Sequence, residues 1–447
     1  MTREIIQVDQ KVPLLKGIPL SLQHLFAMFG ASILVPILFN QAAGTMVVDP
    51  ALVLLMNGVG TLIYLFICRG KAPAFLGSSF AFIAPTITCI GLAATPQLGF
   101  QHALGGFIAA GLVFTIVSLI IRFAGREWLK VLLPPAAMGP IVALIGLELA
   151  PSAVGMAFYK GGSISSGVVV PTFALISLFT LGVIFVGSLV FRKFLAAIPV
   201  LIGVLAGYAL TAILNIWMPG TLDLSPVASA PILSLPRFIL PVFDWGSILI
   251  ILPAALVVIS EHIGHLFVTS NIVGRDLLKD PGLHRSLLGD GLSTMLSGFA
   301  GSCPTTTYGE NMGVMAITKV YSVWVVGGAA AISIFIAFFG KVSGAIRSIP
   351  TPVIGGVSMM LFGVIAASGL RMIIEARVDY SKSRNLLLSA IVFVVGISGL
   401  SIKIGNTELK GMVLATLVGM ALSLVIWAFD KFGWNAESPD QEVEAGK

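Results

Sequence analysis

This 447-residue chain is short of charge, with only 10% of its residues Asp, Glu, Lys or Arg. A soluble domain carries about 25%. That shortfall excludes a water-facing coat and leaves lipid as the solvent. Cysteine is scarcer still: Cys68, Cys89 and Cys303 lie in or beside apolar stretches, without paired spacing or His partners in a metal pattern. They read as small packing residues, so neither a disulfide framework nor a metal site is expected. A Walker loop, a Rossmann fingerprint, a nucleophile elbow and an HExxH helix are all missing. The sequence therefore predicts no enzyme, no ATP-driven pump and no cofactor. The opening MTREIIQVDQKVPLLKG has two acids and no apolar core, which argues against a cleavable signal.

What is abundant is apolar. Hydrophobic residues make up 57% of the chain, and mean hydropathy is +1.02. A spanning helix needs about 20 mostly apolar residues, and roughly 14 such stretches can be read by that criterion. Examples are Pro19–Phe39, Ala51–Cys68, Ala103–Phe123, Thr172–Phe191, Leu386–Leu400 and Met412–Phe429. No stretch is left for a soluble catalytic domain, and the chain ends in a short acidic tail, Glu437–Lys447. The net charge of +6 does not point to nucleic acid, because its distribution is that of a membrane protein. With the N-terminus inside, basic clusters fall on the cytoplasmic side: Arg69/Lys71, Arg122/Arg126/Lys130, Arg192/Lys193, Arg275/Lys279/Arg285 and Arg371/Arg377/Lys382/Arg384. Only Lys160, Arg237, Lys341, Arg347, Lys403 and Lys410 stay outside. This positive-inside bias supports an even span count with both ends in the cytoplasm of a cell-membrane protein.

Three local patterns recur at an offset close to half the chain. Gly77-Ser78 returns as Gly301-Ser302, Gly105-Gly106 as Gly327-Gly328, and Pro135-x3-Gly139-x6-Gly146 as Pro352-x3-Gly356-x6-Gly363. Two halves of seven spans each must enter the membrane from opposite sides. The expected architecture is thus an inverted repeat, as in many secondary transporters. Two segments at matching places break the helical pattern: Pro73–Pro85 and Ala300–Asn311 carry Gly, Pro and hydroxyl residues where apolar side chains would be needed. Thr305-Thr306-Thr307-Tyr308 favours extended backbone. Such backbone survives at membrane depth only where protein or a polar cavity satisfies its amides. Short strands followed by half-helices would set free N–H groups near the midplane, where a substrate is expected.

Four acids fall inside the expected spans: Glu148, Glu261, Asp290 and Glu310. Each costs at least about 2.5 kcal/mol there, and intramembrane ionisable groups are functional by default. Glu261 and His265 are four apart and share a helix face; the pair can handle protons near neutrality, or simply lock two helices together. His262 points elsewhere and reads as a helix contact. Glu310 follows the second broken segment and can accept a ligand N–H or cap the helix that begins there. Asp290, in Gly289-Asp290-Gly291, reads as a structural carboxylate bonded to backbone amides. Glu148 lies near a span end, within reach of water. Gln23 and His24 fit interhelical bonds somewhat better than a substrate role. Phe80 and Phe82 could stack on a planar ligand, although packing is the ordinary fate of one Phe among 28. Broken helices converging on carboxylates suit a gradient-driven carrier better than a channel.

Glu310-Asn311-Met312-Gly313-Val314-Met315-Ala316-Ile317-Thr318-Lys319 resembles the signature of the nucleobase–ascorbate transporter family. That signature runs Gln, Glu or Pro, then Asn, any residue, Gly, four of any kind, Thr, and Arg, Lys or Gly. The Gln23-His24 pair is a second mark. SLQHLFAMFG, LGSSFAFI, PPAAMG, ILPAALVVI, EHIGHL, DPGLHRS, TTYGEN and ELKGM look like the family's bacterial uracil permeases, over about Leu14 to Trp427. The resemblance implies an all-α polytopic membrane protein of about 14 segments in a 7+7 inverted repeat, with core and gate domains. Short antiparallel strands would lie in segments 3 and 10. It places the core at 14–123 and 245–339, the gate at 124–244 and 340–431, and cytoplasmic tails at 1–13 and 432–447. It further implies uracil and protons as substrates, an elevator-like movement and a homodimer through the gates. Glu261 and Glu310 would bind the base, the backbone of Phe80 and Gly309 would touch it, and Phe80 and Tyr308 would pack beside it. Proton coupling would fall to Glu261, His265 and Glu310, with His265 acting through water or the proton itself. The chain departs from close relatives at Phe362, where Tyr can stand, and at Asp290, where Asn can stand. Purine carriers of the same family, anion transporters of the same fold, and a receptor that binds without transport are the competing readings.

Overall fold

The computed structural model describes residues 5–192, 194–404 and 407–434; the expected acidic tail Glu437–Lys447 lies outside them. In chain order the elements are α1 (Leu14–Ala43), α2 (Pro50–Ile67), β1 (Leu76–Ser78), α3 (Ile83–Leu92), α4 (Pro96–Ala124), α5 (Glu127–Leu132), α6 (Pro135–Phe158), α7 (Pro171–Val190), α8 (Pro199–Trp217) and α9 (Ser225–Ser229). There follow α10 (Trp245–Val273), α11 (Leu283–Ala300), β2 (Thr305–Thr307), α12 (Gly309–Thr318), α13 (Val323–Ile336), α14 (Gly340–Arg347), α15 (Thr351–Glu375), α16 (Ser383–Ile397), β3 (Ser401–Ile404), β4 (Thr407–Lys410) and α17 (Gly411–Lys431).

Among the described residues, nine helices are long and apolar enough to cross a membrane: α1, α2, α4, α6, α7, α8, α10, α15 and α17. Three shorter apolar helical runs, Phe80–Leu92, Val323–Ile336 and Ser383–Ile397, add to them. The last two segments are α11 and the β2–α12 unit, whose polar content hides them from a hydropathy criterion. The count reaches the expected 14, as seven plus seven, and the third member of each half is a strand followed by a half-helix. Helix starts follow local chemistry. Asp49 caps α2 by accepting from Ala51 N at 2.9 Å, and Asp244 caps α10 by accepting from Ser247 N at 2.7 Å. Pro stands at the first helical position of α2, α7 and α8, where its missing N–H costs nothing.

The chain forms two compact units, Met1–Leu119 with Leu149–Leu361, and Ile120–Glu148 with Phe362–Lys447. In the first, α2 packs on α11 and α13, and α1 packs on α13. The α2–α11 seam is close because glycine faces a side chain twice: Gly60 meets Ser293, and Gly289 meets Tyr64. Burial separates the helices sharply. Of the most apolar stretch of α1, 78% is buried, against 28% for α7, so α7 presents most of its apolar surface outward. At the N-terminus, Ile6–Gln10 lies across the link between α12 and α13. Ile6 pairs with Val320, Val323 N donates to Val8 O at 2.9 Å, and Asp9 pairs with Arg275 at 2.7 Å.

In the second unit, Ser389 Oγ donates to Ala136 O at 2.6 Å, and Gly139 and Gly369 give close approach to Ile373 and Ala143. Glu148 accepts from Met412 N at 2.9 Å, satisfying an amide in the first turn of α17, a structural part that suits its place near a span end. The hairpin β3–β4, with Ser401 paired to Lys410, answers a signal the sequence reading passed over, since Gly405-Asn406 separates Ser401–Ile404, which alternates, from Thr407–Lys410.

Candidate substrate site

The two interrupted segments meet as a miniature antiparallel sheet, with Leu76 opposite Thr307, Gly77 opposite Thr306 and Ser78 opposite Thr305. Its backbone groups are thereby partly satisfied without water, as membrane depth requires. Hydroxyls from α2 and α11 satisfy others. Thr61 Oγ1 accepts from Leu76 N at 2.9 Å, and Thr294 Oγ1 donates to Thr305 O at 2.9 Å. Tyr308 ends the second strand and caps α12; its ring lies against Gly77, and its hydroxyl donates to Ser78 O at 2.8 Å. Only glycine at position 77 leaves room for that ring.

The repeat pairing expected for Gly77 needs correction. Gly301 does not match it; Gly301 ends α11 in the left-handed conformation, φ 90°, ahead of β2. The strand that answers Leu76–Ser78 is Thr305–Thr307. The Pro135 and Pro352 patterns do correspond, each opening a long helix of its half.

Glu310 stands in the first turn of α12, where the positive end of the helix favours an anion. Gly309 begins that helix and faces His265 Nε2. Glu261 and His265 share one face of α10, with Nε2 and Oε1 4.0 Å apart and each side chain about one-fifth exposed (21% and 22%). That separation is too long for a direct hydrogen bond and fits a bridging water. On its other side His265 Nδ1 lies 3.1 Å from Thr307 Oγ1. Glu261 is within electrostatic reach of both Glu310 and Asp290. Phe80 follows β1 and is partly buried, whereas Phe82 is fully buried and edges onto Phe107 at 5.7 Å, which makes it a packing residue. The structure thus brings Glu261, His265, Tyr308, Gly309 and Glu310 together around one strand-to-helix junction.

Behind them lies a pairing the sequence did not disclose. His262 Nδ1 meets Asp290 Oδ2 at 2.8 Å, both side chains at 0% exposure. His262 Nε2 meets Ser286 Oγ at 2.7 Å, and Ser286 Oγ meets Tyr64 Oη at 2.7 Å. Asp290 therefore bonds a side chain, with Thr306 Oγ1 at 3.5 Å, in place of the backbone amides expected for it. His262 is a helix contact as expected, and the contact is ionisable. The signature Asn311 is a structural tie. Its Nδ2 donates to His24 O at 3.1 Å and meets His24 Nδ1 at 3.2 Å. This joins α12 to α1 and links His24 of one family mark to Asn311 of the other. Among the described residues no cluster of His, Cys, Asp and Glu is arranged to hold a metal.

The sequence profile of a permease family matches residues 15–404. The chain belongs to that family. Its relatives include the uracil permease of Escherichia coli K12, 55% identical over 428 residues that cover 95% of this chain and 94% of that protein. The uracil permease of Paenibacillus larvae is 52% identical over 98% of this chain and 100% of that protein. That of Bacillus caldolyticus is 46% identical, covering 95% of each. Among solved structures, the transmembrane domain of the cyanobacterial bicarbonate transporter BicA matches with a TM-score of 0.61 at 16% identity, over 94% of this chain and 100% of that one. SLC26A9 matches with 0.69 at 12% identity, over 93% of this chain and 65% of that one. These neighbours share the fold. As a permease, the chain is an integral membrane transporter and not an enzyme, and the resemblance carried by the Glu310–Lys319 signature is borne out.

Proposed function

We propose that this permease imports uracil together with protons. One observation carries the reading: 55% identity to a protein named uracil permease spans 95% of the chain, including the junction where Glu261 and Glu310 converge. Uracil presents a flat edge of alternating N–H donors and C=O acceptors. In this reading Glu261 and Glu310 accept from its ring N–H groups, and backbone amides beside Phe80 and Gly309 meet its carbonyls. Phe80 and Tyr308 flank the ring. Proton coupling belongs to the same carboxylates with His265, because a charged carboxylate is costly to carry across lipid and a protonated one is not. The remaining parts of the reading are an elevator-like passage of a core (14–123, 245–339) against a gate (124–244, 340–431), both termini in the cytoplasm, and a homodimer through the gates.

A purine symporter of the same family is the alternative within transport. Glu in place of Gln at position 310 favours a pyrimidine through the resemblance to the family's uracil permeases. An anion cargo is disfavoured, since two carboxylates at the site would repel it, and the structural neighbours named for anions share the fold alone. The test is uptake of radiolabelled uracil by the purified chain in liposomes, competed by unlabelled uracil, xanthine and cytosine. Uracil alone should compete fully. Equal competition by xanthine would replace this reading with the purine one.

A further inference from the structure

Helix α1 carries the chain away from the N-terminus to the opposite end of the first unit, and the connector between α8 and α10 crosses that end. Its backbone is bound there. Ser234 N donates to Phe338 O at 2.9 Å, Ile239 N to Ala300 O at 3.1 Å and Val242 N to Gln101 O at 3.0 Å, while Arg237 N donates to Asp49 Oδ2 at 3.1 Å. Pro231, Pro236 and Pro241 have no N–H to satisfy. Glycine makes the seat: a Cβ at Gly301 would strike the Ile239 backbone, and one at Gly105 would press on Val242 O and Phe243. With the backbone held inward, large apolar side chains turn outward. Leu235, Phe238, Leu240, Phe243 and the adjoining Trp245 of α10 are 58% to 81% exposed, and Arg237 is the one charged residue between Pro231 and Phe243. We propose that this row is a lipid-binding surface, seated at the boundary between headgroups and acyl chains of the leaflet opposite the N-terminus.

Depth and continuity identify the occupant as lipid. Each strand of the β1–β2 sheet is followed by a half-helix, α3 or α12, of 10 residues. Such a helix is about 15 Å long, half of a full span, so the sheet sits near the midplane. Ala300, which anchors Ile239, precedes Thr305 of β2 by so little chain that at about 3.3 Å per residue the two lie within about 17 Å. Half of the hydrocarbon layer is about 15 Å thick, so the connector runs along its edge. The outward row also continues the lipid-facing stripes of two spanning helices. Leading up to Ala300, α11 exposes Leu292, Leu296 and Phe299 on one face, and α10 exposes Trp245 and Leu249 in the same way. Left in water, the joined surface would be an apolar patch of the kind soluble surfaces avoid. Aromatic rings at this level mark a membrane–water interface, and Arg237 can set its guanidinium among lipid phosphates while its stem stays in the apolar layer.

The test uses the full-length protein in phosphatidylcholine liposomes. Leu240→Cys is labelled with a small thiol-reactive fluorophore, which should find that thiol alone because Cys68, Cys89 and Cys303 are buried. Lipids brominated near the headgroup end of the acyl chain should quench the label about twofold or more, as for a group roughly 5–10 Å into the boundary layer. Iodide supplied on both faces of the membrane should quench it little. Ser165→Cys, on an exposed polar turn at the same end, where Gly162 lies against Gln41 of α1, should respond in the reverse order. Leu235→Cys repeats the measurement should Leu240→Cys fail to fold. Iodide quenching as strong as at position 165 would place the row in water and overturn the proposal. A label shielded from both quenchers would mean that protein, such as a second copy of this chain, covers the row, and would overturn it as well.

Discussion

Adding one methyl group to Gly77 should damage the site as much as removing a ligand-binding side chain. A Cβ at Gly77 would run into the Tyr308 ring, and that ring has nowhere to go. It is 4% exposed, its hydroxyl is held by Ser78 O at 2.8 Å, and its amide donates to Phe75 O at 3.1 Å. Overpacking of this kind costs about 1–3 kcal/mol, and loss of the hydroxyl bond adds about 1 kcal/mol. If β1 and β2 part to relieve the clash, some 2–4 kcal/mol is lost from binding, roughly a thirtyfold to several-hundredfold weaker affinity. Titration calorimetry of Gly77→Ala with uracil, beside its thermal unfolding, measures where the cost falls. Tyr308→Phe alone removes only the hydroxyl bond and should weaken binding about fivefold. Because the two residues touch, Gly77→Ala combined with Tyr308→Ala should be less harmful than the sum of the singles. Wild-type affinity together with a wild-type unfolding temperature in Gly77→Ala would refute the packing argument.

Asp290→Ala should destabilise the protein by about 3–5 kcal/mol, as removal of one partner from a buried pair does, whereas Asp290→Asn keeps an acceptor for His262 and should cost much less; thermal unfolding in detergent compares them. Asn311→Ala removes both bonds to His24 and should cost about 1–3 kcal/mol, read as a lower unfolding temperature with uptake reduced in proportion to folded protein. The Asp9 carboxyl is held below its ordinary value of 3.8 by the Arg275 guanidinium hydrogen-bonded to it. The Asp9–Arg275 contribution to holding Ile6–Gln10 is therefore complete above that ordinary value and is lost as pH falls through the lower folded one. Amide protection at Tyr321 and Val323, which donate to Ile6 O and Val8 O, should drop over that range, and Arg275→Gln should flatten the profile. No drop in the intact protein would contradict the assignment.

Local composition carried much of this fold. Apolar runs such as Ala51–Cys68 and Thr172–Phe191 lie within a residue of α2 and α7, because lipid leaves a long helix few alternatives. The two broken segments were legible for the same reason: Gly, Pro and Thr at membrane depth need an explanation. Glu261 and His265 stood out by spacing on one helix, and Glu310 by its place beside the break. The Asp290–His262 pair was hidden, since 28 residues separate them and nothing local says which faces of α10 and α11 meet. The same holds for Asn311 and His24, each recognised separately but joined only by the packing of α12 on α1. Gly301-Ser302 misled because a helix-ending glycine and a strand glycine look alike in sequence. The N-terminal strap was missed because Ile6 and Val8 alternate too briefly to signal a strand, and their partner lies beyond α12.

In the proposed function Glu261 carries or controls the proton that drives uptake. Glu261→Gln fixes the group in a neutral, hydrogen-bonding form. In liposomes with an imposed pH gradient, this variant should still bind uracil measurably and should fail to accumulate it above the outside concentration. Accumulation to the level of the unaltered chain would show that the driving proton travels elsewhere.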